Sequence, residues 1–279
     1  MNVRIAVSSR RALAVKAAIT ILAALVFAAG PAAAANAASA TPGGLPSSGH
    51  SSGRTVHFQG SAPVGALFSA PVYTGSDAAH FCTGSVIASP HGDLVLTAAH
   101  CVWNASTHTY THSSITFAPG YDNAPVAALG GVWTVSQIDV APGYLASGNP
   151  EDDYAFLVLA PESGRTIQQF TGALRLATTH LPVPVRVVGY NDLQYDPDGN
   201  KPIECRALAF EETDAGAPWA RFNCPNYQDG TSGGPWIIAG TNRVIGVIGG
   251  YEQGGDSPDW SYSAIFNAST SAFYASVAF

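Results

Sequence analysis

The stretch Asp229-Gly230-Thr231-Ser232-Gly233-Gly234-Pro235-Trp236 sets one serine among three glycines. A serine hydroxyl is a poor nucleophile at neutral pH, so one that attacks a carbonyl must be exposed on a tight turn and activated by a base. Glycines let the backbone curl until neighbouring N–H groups converge where a reacting oxygen becomes negative. Ser232 is therefore the candidate nucleophile, and the N–H groups of Gly230 and Ser232 are the candidate oxyanion donors. Taken alone, Gly230-x-Ser232-x-Gly234 also fits a nucleophile elbow, in which an acid and then a histidine follow the serine. The last histidine of the chain is His180, which excludes that order, while the order histidine, aspartate, serine remains open.

The upstream residues supply that order. Leu94-Val95-Leu96-Thr97-Ala98-Ala99-His100-Cys101 places a histidine directly after a continuous apolar run. A buried strand is a rigid support from which an imidazole can be aimed. Glu151-Asp152-Asp153-Tyr154-Ala155-Phe156-Leu157-Val158-Leu159 sets carboxylates at the mouth of a second apolar strand. A buried carboxylate needs a partner, and an imidazole N–H is a natural one. Asp153, nearest the strand, is the candidate to orient His100, whereas Asp152 is expected to be solvated.

Other groupings carry less chemistry. His108-x-x-x-His112 would pair two imidazoles for a metal on a helix, but its threonine-rich surroundings favour a strand or loop. Asp196-Pro197-Asp198-Gly199-Asn200 reads as a turn, since its spacing lacks most of the ligands of a calcium loop. The four cysteines contain no Cys-x-x-Cys pair, so a zinc site is not expected. No metal or cofactor is called for.

The elements that must position these groups are strands. Charged residues make up only 11% of the 279 positions, while 29 glycines and 19 prolines favour short strands joined by many turns. Strand-like runs are Val64 to Phe68, Phe81 to Ile87, Leu94 to Ala99, Ile115 to Ala118, Val132 to Val140, Tyr154 to Leu159 and Leu181 to Val188. Further runs are Cys205 to Phe210, Trp219 to Cys224, Trp236 to Ala239, Val244 to Ile248 and Tyr262 to Phe266. Asn267 can cap a short final helix reaching toward Val277.

Residues 1–40 read as an export signal, with Arg4, Arg10, Arg11 and Lys16 before an apolar run and Ala38-Ser39-Ala40 as the cleavage site. The apolar run is short and broken by Gly30-Pro31, so no membrane association is expected after its removal, and the protein is expected outside the cell. Removal takes four of the twelve basic residues and none of the nineteen acidic ones, so the formal charge becomes more negative than −7 and nucleic acid is excluded as a partner. Residues 41–62, rich in Gly, Ser and Pro, read as a flexible leader or propeptide. Four cysteines in an oxidising compartment imply two disulfides, and local order favours Cys82 with Cys101 and Cys205 with Cys224 among the three possible pairings.

Taken together, Leu96-Thr97-Ala98-Ala99-His100-Cys101, Asp153-Tyr154-Ala155-Phe156-Leu157 and Gly230-Thr231-Ser232-Gly233-Gly234-Pro235 resemble the chymotrypsin (trypsin-like) family of serine proteases, in a secreted bacterial form. Phe81-Cys82-Thr83-Gly84-Ser85-Val86-Ile87 resembles that family's half-cystine strand. The resemblance implies an all-β fold of two six-stranded antiparallel barrels, here residues 63–175 and 176–279, with the active site in the cleft between them. It implies a monomeric endopeptidase acting on protein or peptide substrates through Ser232, His100 and Asp153; the alternative is a catalytically silent binding or adhesion module on the same fold. It also implies that Asn226, Gly249, Gly250 and Tyr251 meet the substrate, with Ile248 to Tyr251 as an edge strand and Tyr251 narrowing the pocket. Thr231 stands where many animal members carry an aspartate that pairs with a newly cut N-terminus, so that switch is not expected. Asn226 stands where a trypsin-like basic preference needs an acid, and Gln228 where a bracing cysteine is usual.

Overall fold

The computed structural model describes residues 52–69, 79–122 and 131–279. The export signal read at 1–40, and the leader as far as residue 51, lie outside the described residues.

Runs rich in β-branched and aromatic residues, many of them bounded by Gly, Pro, Asn or Ser, form most of the strands. In chain order these are β1 (Thr55–His57), β2 (Val64–Ser69), β3 (His80–Ile87), β4 (Leu94–Thr97), β5 (Trp103–Asn104), β6 (Thr109–Tyr110), β7 (Ile115–Pro119) and β8 (Trp133–Val140). Helix α1 (Pro142–Ser147), β9 (Ala155–Leu159), α2 (Ile167–Thr171) and β10 (Arg175–Leu176) follow. The remainder comprises β11 (Val183–Gly189), β12 (Ile203–Asp214), β13 (Ala217–Asn223), β14 (Pro235–Ile238), β15 (Arg243–Val247), β16 (Trp260–Ser263) and α3 (Ala268–Ala278).

Strands β2, β3, β4, β9, β8 and β7 close in that order into a barrel that is antiparallel at every joint. Closure leaves no unpaired edge, and the barrel fills with Leu67, Leu94, Leu96, Phe117, Trp133 and Phe156, all essentially inaccessible to water. The second half departs from the expected closed barrel. Its strands form an open path, β10-β15-β14-β11-β12-β13-β16, with β10 parallel to β15 and β1 added on β12. The end of β15 and the residues after it meet β16 through one backbone bond, Gly249 N–H to the Tyr262 carbonyl at 3.1 Å, and through Val247 N–H to Ser263 Oγ at 3.1 Å. The reason is local: β15 stops at Val247, because beyond it the chain bends to serve the site described below.

Both favoured disulfides are present, Cys82–Cys101 and Cys205–Cys224, each joining residues 19 apart. Loops of that length are each worth about 3 kcal/mol in the chain-entropy account. His108 sits in the turn between β5 and β6 with φ of 52°, and His112 stacks on Phe81 at 4.0 Å, so the two imidazoles do not share a helix face.

Two segments lie elsewhere than the sequence suggests. Thr55–His57, placed in the flexible leader, is a strand opposite Cys205, Glu204 and Ile203. Helix α3, capped by Asn267 as expected, follows the second half in sequence but packs on the first. Its Phe273 lies against Tyr154 and Phe156, at 6.2 and 5.7 Å between ring centres, and Tyr274 O–H donates to the Ala88 carbonyl at 2.5 Å.

His80 is 2% exposed among Phe68, Tyr121 and Tyr190, and its Nε2 faces the Gly199 carbonyl at 3.0 Å. Burial holds its pKa below the ordinary 6.5. The unfolded chain then binds the proton first, so stability is complete above about pH 6.5 and falls as pH drops toward the folded value, by at most about 1.4 kcal/mol per pH unit. Melting temperatures of the wild type and His80→Gln between pH 7.5 and 5 are expected to diverge, the variant losing less on the acid side.

Candidate active site

The site is assembled from three chain segments that share almost no sequence neighbourhood. Strand β4 is buried along its whole length, and Ala98 and Ala99 continue it inward before His100 emerges with a side chain 10% exposed. The Cys82–Cys101 bond ties the residue after the histidine to β3, so the imidazole is anchored from both sides. Asp153 follows a single helical turn, Pro150–Asp152, at the entrance to β9, and is 1% exposed.

A carboxylate so deeply buried must be hydrogen-bonded to persist. Asp153 accepts three bonds: Oδ1 from the backbone N–H of His100 at 2.9 Å, and Oδ2 from His100 Nδ1–H at 2.7 Å and from Gly250 N–H at 2.9 Å. With the Nδ1 proton committed to a carboxylate oxygen, the neutral ring presents the lone pair of Nε2 outward.

Ser232 is half-buried at the tip of the turn between β13 and β14. That turn is pinned to the barrel by Thr83 of β3, which is inaccessible to water. Thr83 N–H donates to the Ser232 carbonyl at 2.8 Å, and Thr83 O–H donates to the Gly230 carbonyl at 3.0 Å. Thr83 Oγ1 in turn accepts from Tyr190 N–H at 3.0 Å, and the Thr83 carbonyl accepts from Thr97 O–H at 2.8 Å. Gly233 N–H and the Gly234 carbonyl pair with the Ile248 carbonyl and N–H, at 2.8 and 2.9 Å.

Within the turn, the N–H groups of Thr231, Gly233 and Gly234 are taken up by carbonyls. Those of Gly230 and Ser232 have no acceptor among the described residues. No hydrogen bond joins Ser232 Oγ to His100 among the described residues; the serine turn reaches the histidine segment through Gly233, which packs on Thr83, Thr97 and Ala98.

A cavity of about 270 Å³ opens beside Ser232, lined by Tyr195, Tyr227 to Asp229, Thr231, Ile248, Gln253 to Pro258 and Ser261. None of the four residues expected to meet substrate lines this cavity. Asn226 faces a separate cavity against β1. Gly249 packs on Asp153 and Ala98, Gly250 gives its N–H to Asp153, and Tyr251 stacks on Trp219 at 5.8 Å. The expected edge strand at Ile248 to Tyr251 is instead a bend that delivers the Gly250 amide to the carboxylate. Thr83 and the loop from Gln253 to Pro258 escape sequence reasoning: one is a strand threonine like any other, and the other has no periodic pattern.

The family model described as Trypsin matches residues 59–266. No curated protein matches the sequence. Among solved structures, the chain is similar to a protease, Anisep, from Arthrobacter nicotinovorans, with 22% identity and a TM-score of 0.66 over 80% of this chain and 99% of that one. It is similar to a thermostable serine protease from an extremophilic microorganism, with 24% identity and a TM-score of 0.65 over 78% and 97%. A Glu endopeptidase shares 18% identity with a TM-score of 0.58 over 81% and 96%.

Gly233 adopts φ of 81°, and a Cβ there would overlap the Thr83 carbonyl and Thr97 Oγ1. Left-handed strain and overpacking together make Gly233→Ala cost about 2–5 kcal/mol. Urea denaturation is expected to show that loss, and reaction of Ser232 with a fluorophosphonate is expected to fall with it.

Proposed function

The chain belongs to the trypsin family of serine endopeptidases, and we propose that it cleaves peptide bonds with Ser232 as nucleophile, His100 as general base and Asp153 as the group that orients the imidazole. The observation that carries this reading is the Asp153 carboxylate, which fixes the His100 proton on Nδ1 and aims Nε2 out of the barrel. Nε2 takes the Ser232 proton as the hydroxyl attacks the carbonyl, then returns it to the leaving amine. Catalytic hydrogen bonds are often long in unliganded sites and tighten once substrate is in place, which is the step that brings Ser232 Oγ to Nε2. The uncommitted N–H groups of Gly230 and Ser232 hold the oxyanion, where one donor is worth about 10²- to 10³-fold in rate.

Export is part of the same proposal. Two disulfides suit an oxidising compartment, and no helix among the described residues is long and apolar enough to cross a membrane. A protein working there as a monomer on polypeptide substrates needs no cofactor for this chemistry.

The cavity beside Ser232 is read as the site of the side chain preceding the cleaved bond. Asp229 and Asp256 line it, and among the described residues no Lys, Arg or His does. A glutamate there meets the like charge of both, unlike the preference named for the Glu endopeptidase neighbour.

Ser232→Ala and His100→Ala are expected to abolish fluorophosphonate labelling and peptide cleavage, and Asp153→Asn to lower kcat by about 10⁴-fold through the wrong tautomer. Full labelling of His100→Ala would point to a different base, and an unreactive wild type to a silent binding module. In a peptide-library profile, glutamine is expected to exceed glutamate at the cleaved residue by about two- to thirtyfold, the range for two exposed charge contacts. Asp256→Asn is expected to narrow that gap, and a glutamate preference in the wild type would contradict the assignment.

A further inference from the structure

Residues 53–58 grip the second half by more than the ladder of β1 on β12. Gly53 N–H donates to the Asn223 carbonyl at 2.8 Å, and Phe58 N–H to the Pro202 carbonyl at 3.2 Å. Thr55 O–H donates to the Pro225 carbonyl at 2.5 Å, and His57 Nε2 lies 3.3 Å from Asp196 Oδ2. The Phe58 ring sits under the Arg186 guanidinium, 5.1 Å from its centre. Gly53 rests against the Cys205–Cys224 disulfide. A Cβ there would overlap Cys205 Sγ and come within 2.5 Å of the Arg206 carbonyl and 2.9 Å of Cys224 Sγ. So close an approach admits only glycine, which a discarded leader would not require.

The strand is fastened to the stretch that most needs support. Residues 225–228 belong to no strand; Tyr227 and Gln228 form one wall of the cavity beside Ser232, and the four residues lead into the oxyanion turn. From the inner side they are held by Asn191, 2% exposed, whose Nδ2 donates to the Asn226 carbonyl at 3.0 Å and whose Oδ1 accepts from Gln228 N–H at 3.0 Å. The same Nδ2 donates to Asp196 Oδ2 at 3.1 Å, the oxygen that His57 faces. From the outer side the hold on Pro225 comes from Thr55. A second cavity of about 270 Å³ lies between β1 and this wall, and it shares Tyr195 and Gln228 with the first. A single thickness of chain therefore separates the two spaces.

We propose that residues 53–58 stay on the working enzyme as a strap that positions the 225–228 wall of the substrate cavity, so that maturation ends at or before Gly53. The proposal rests on the endopeptidase reading and on the cavity beside Ser232 being the substrate's. The strap residues touch no reacting atom; they act through the wall, and their loss is felt in peptide KM before it is felt in the chemistry.

Mass spectrometry of the secreted, fluorophosphonate-reactive protein is expected to place its N-terminus at or before Gly53; an N-terminus beyond Gly53 on a peptide-cleaving protein overturns the proposal. In the full-length chain, Thr55→Val removes the bond to Pro225, Thr55→Ser keeps it, and Gly53→Val displaces the strand. Thr55→Val is expected to raise peptide KM about three- to tenfold, the weight of one hydrogen bond, with Thr55→Ser restoring the wild-type value. Gly53→Val is expected to raise KM further, while the ratio of peptide to p-nitrophenyl acetate turnover falls in both impaired variants. Unchanged peptide kinetics, or peptide and ester turnover falling in step with no rescue by serine, overturns the strap alone. A wild type that neither labels nor cleaves overturns the endopeptidase reading, and the strap's purpose with it.

Discussion

The fold is arranged around one buried carboxylate. Asp153 cannot be left unpaired inside a protein, and each of its three N–H partners comes from a constrained piece of chain. Two belong to His100, at the end of a fully buried strand and next to a disulfide. The third belongs to Gly250, beyond the last residue of β15. One ionisable side chain of the barrel thus dictates the tautomer of the imidazole and the path of the second half. The open seam between β15 and β16 follows from it, because a strand continued through Gly249 and Gly250 could not turn an amide toward the carboxylate.

Thr83 performs the complementary task with a neutral side chain. Its backbone and hydroxyl together make four hydrogen bonds that join β3, β4, the end of β11 and the serine turn. In the dry interior these bonds reinforce each other, and none has water to replace it. The turn is therefore held by its carbonyls, while the N–H groups of Gly230 and Ser232 stay uncommitted.

Most of the strand positions were legible in the sequence because apolar runs bounded by Gly and Pro are local signals, and the cysteine pairing because the order of the four residues is simple. The helix at Asn267 was legible from its cap. What escaped depends on partners far away in the chain. Thr55–His57 has no period of its own and becomes a strand only because β12 offers an unpaired edge. The edge strand expected at Ile248 to Tyr251 is a bend, because the backbone at Gly250, with φ of 82°, answers to Asp153, and Tyr251 stacks on Trp219. The bend is invisible in a sequence because its cause lies 97 residues upstream.

Helix α3 adds a constraint of another kind. Tyr274 reaches a carbonyl 186 residues earlier, and Phe273 covers the strand that begins beside Asp153. Contacts of such sequence separation form late in folding, since a long loop must close before they reward it. A ribosome delivers the barrel strands well before the helix that covers them. Tyr154 and Phe156 therefore wait uncovered until α3 has emerged, so the half that carries the imidazole is sealed by a segment made after the whole of the other half.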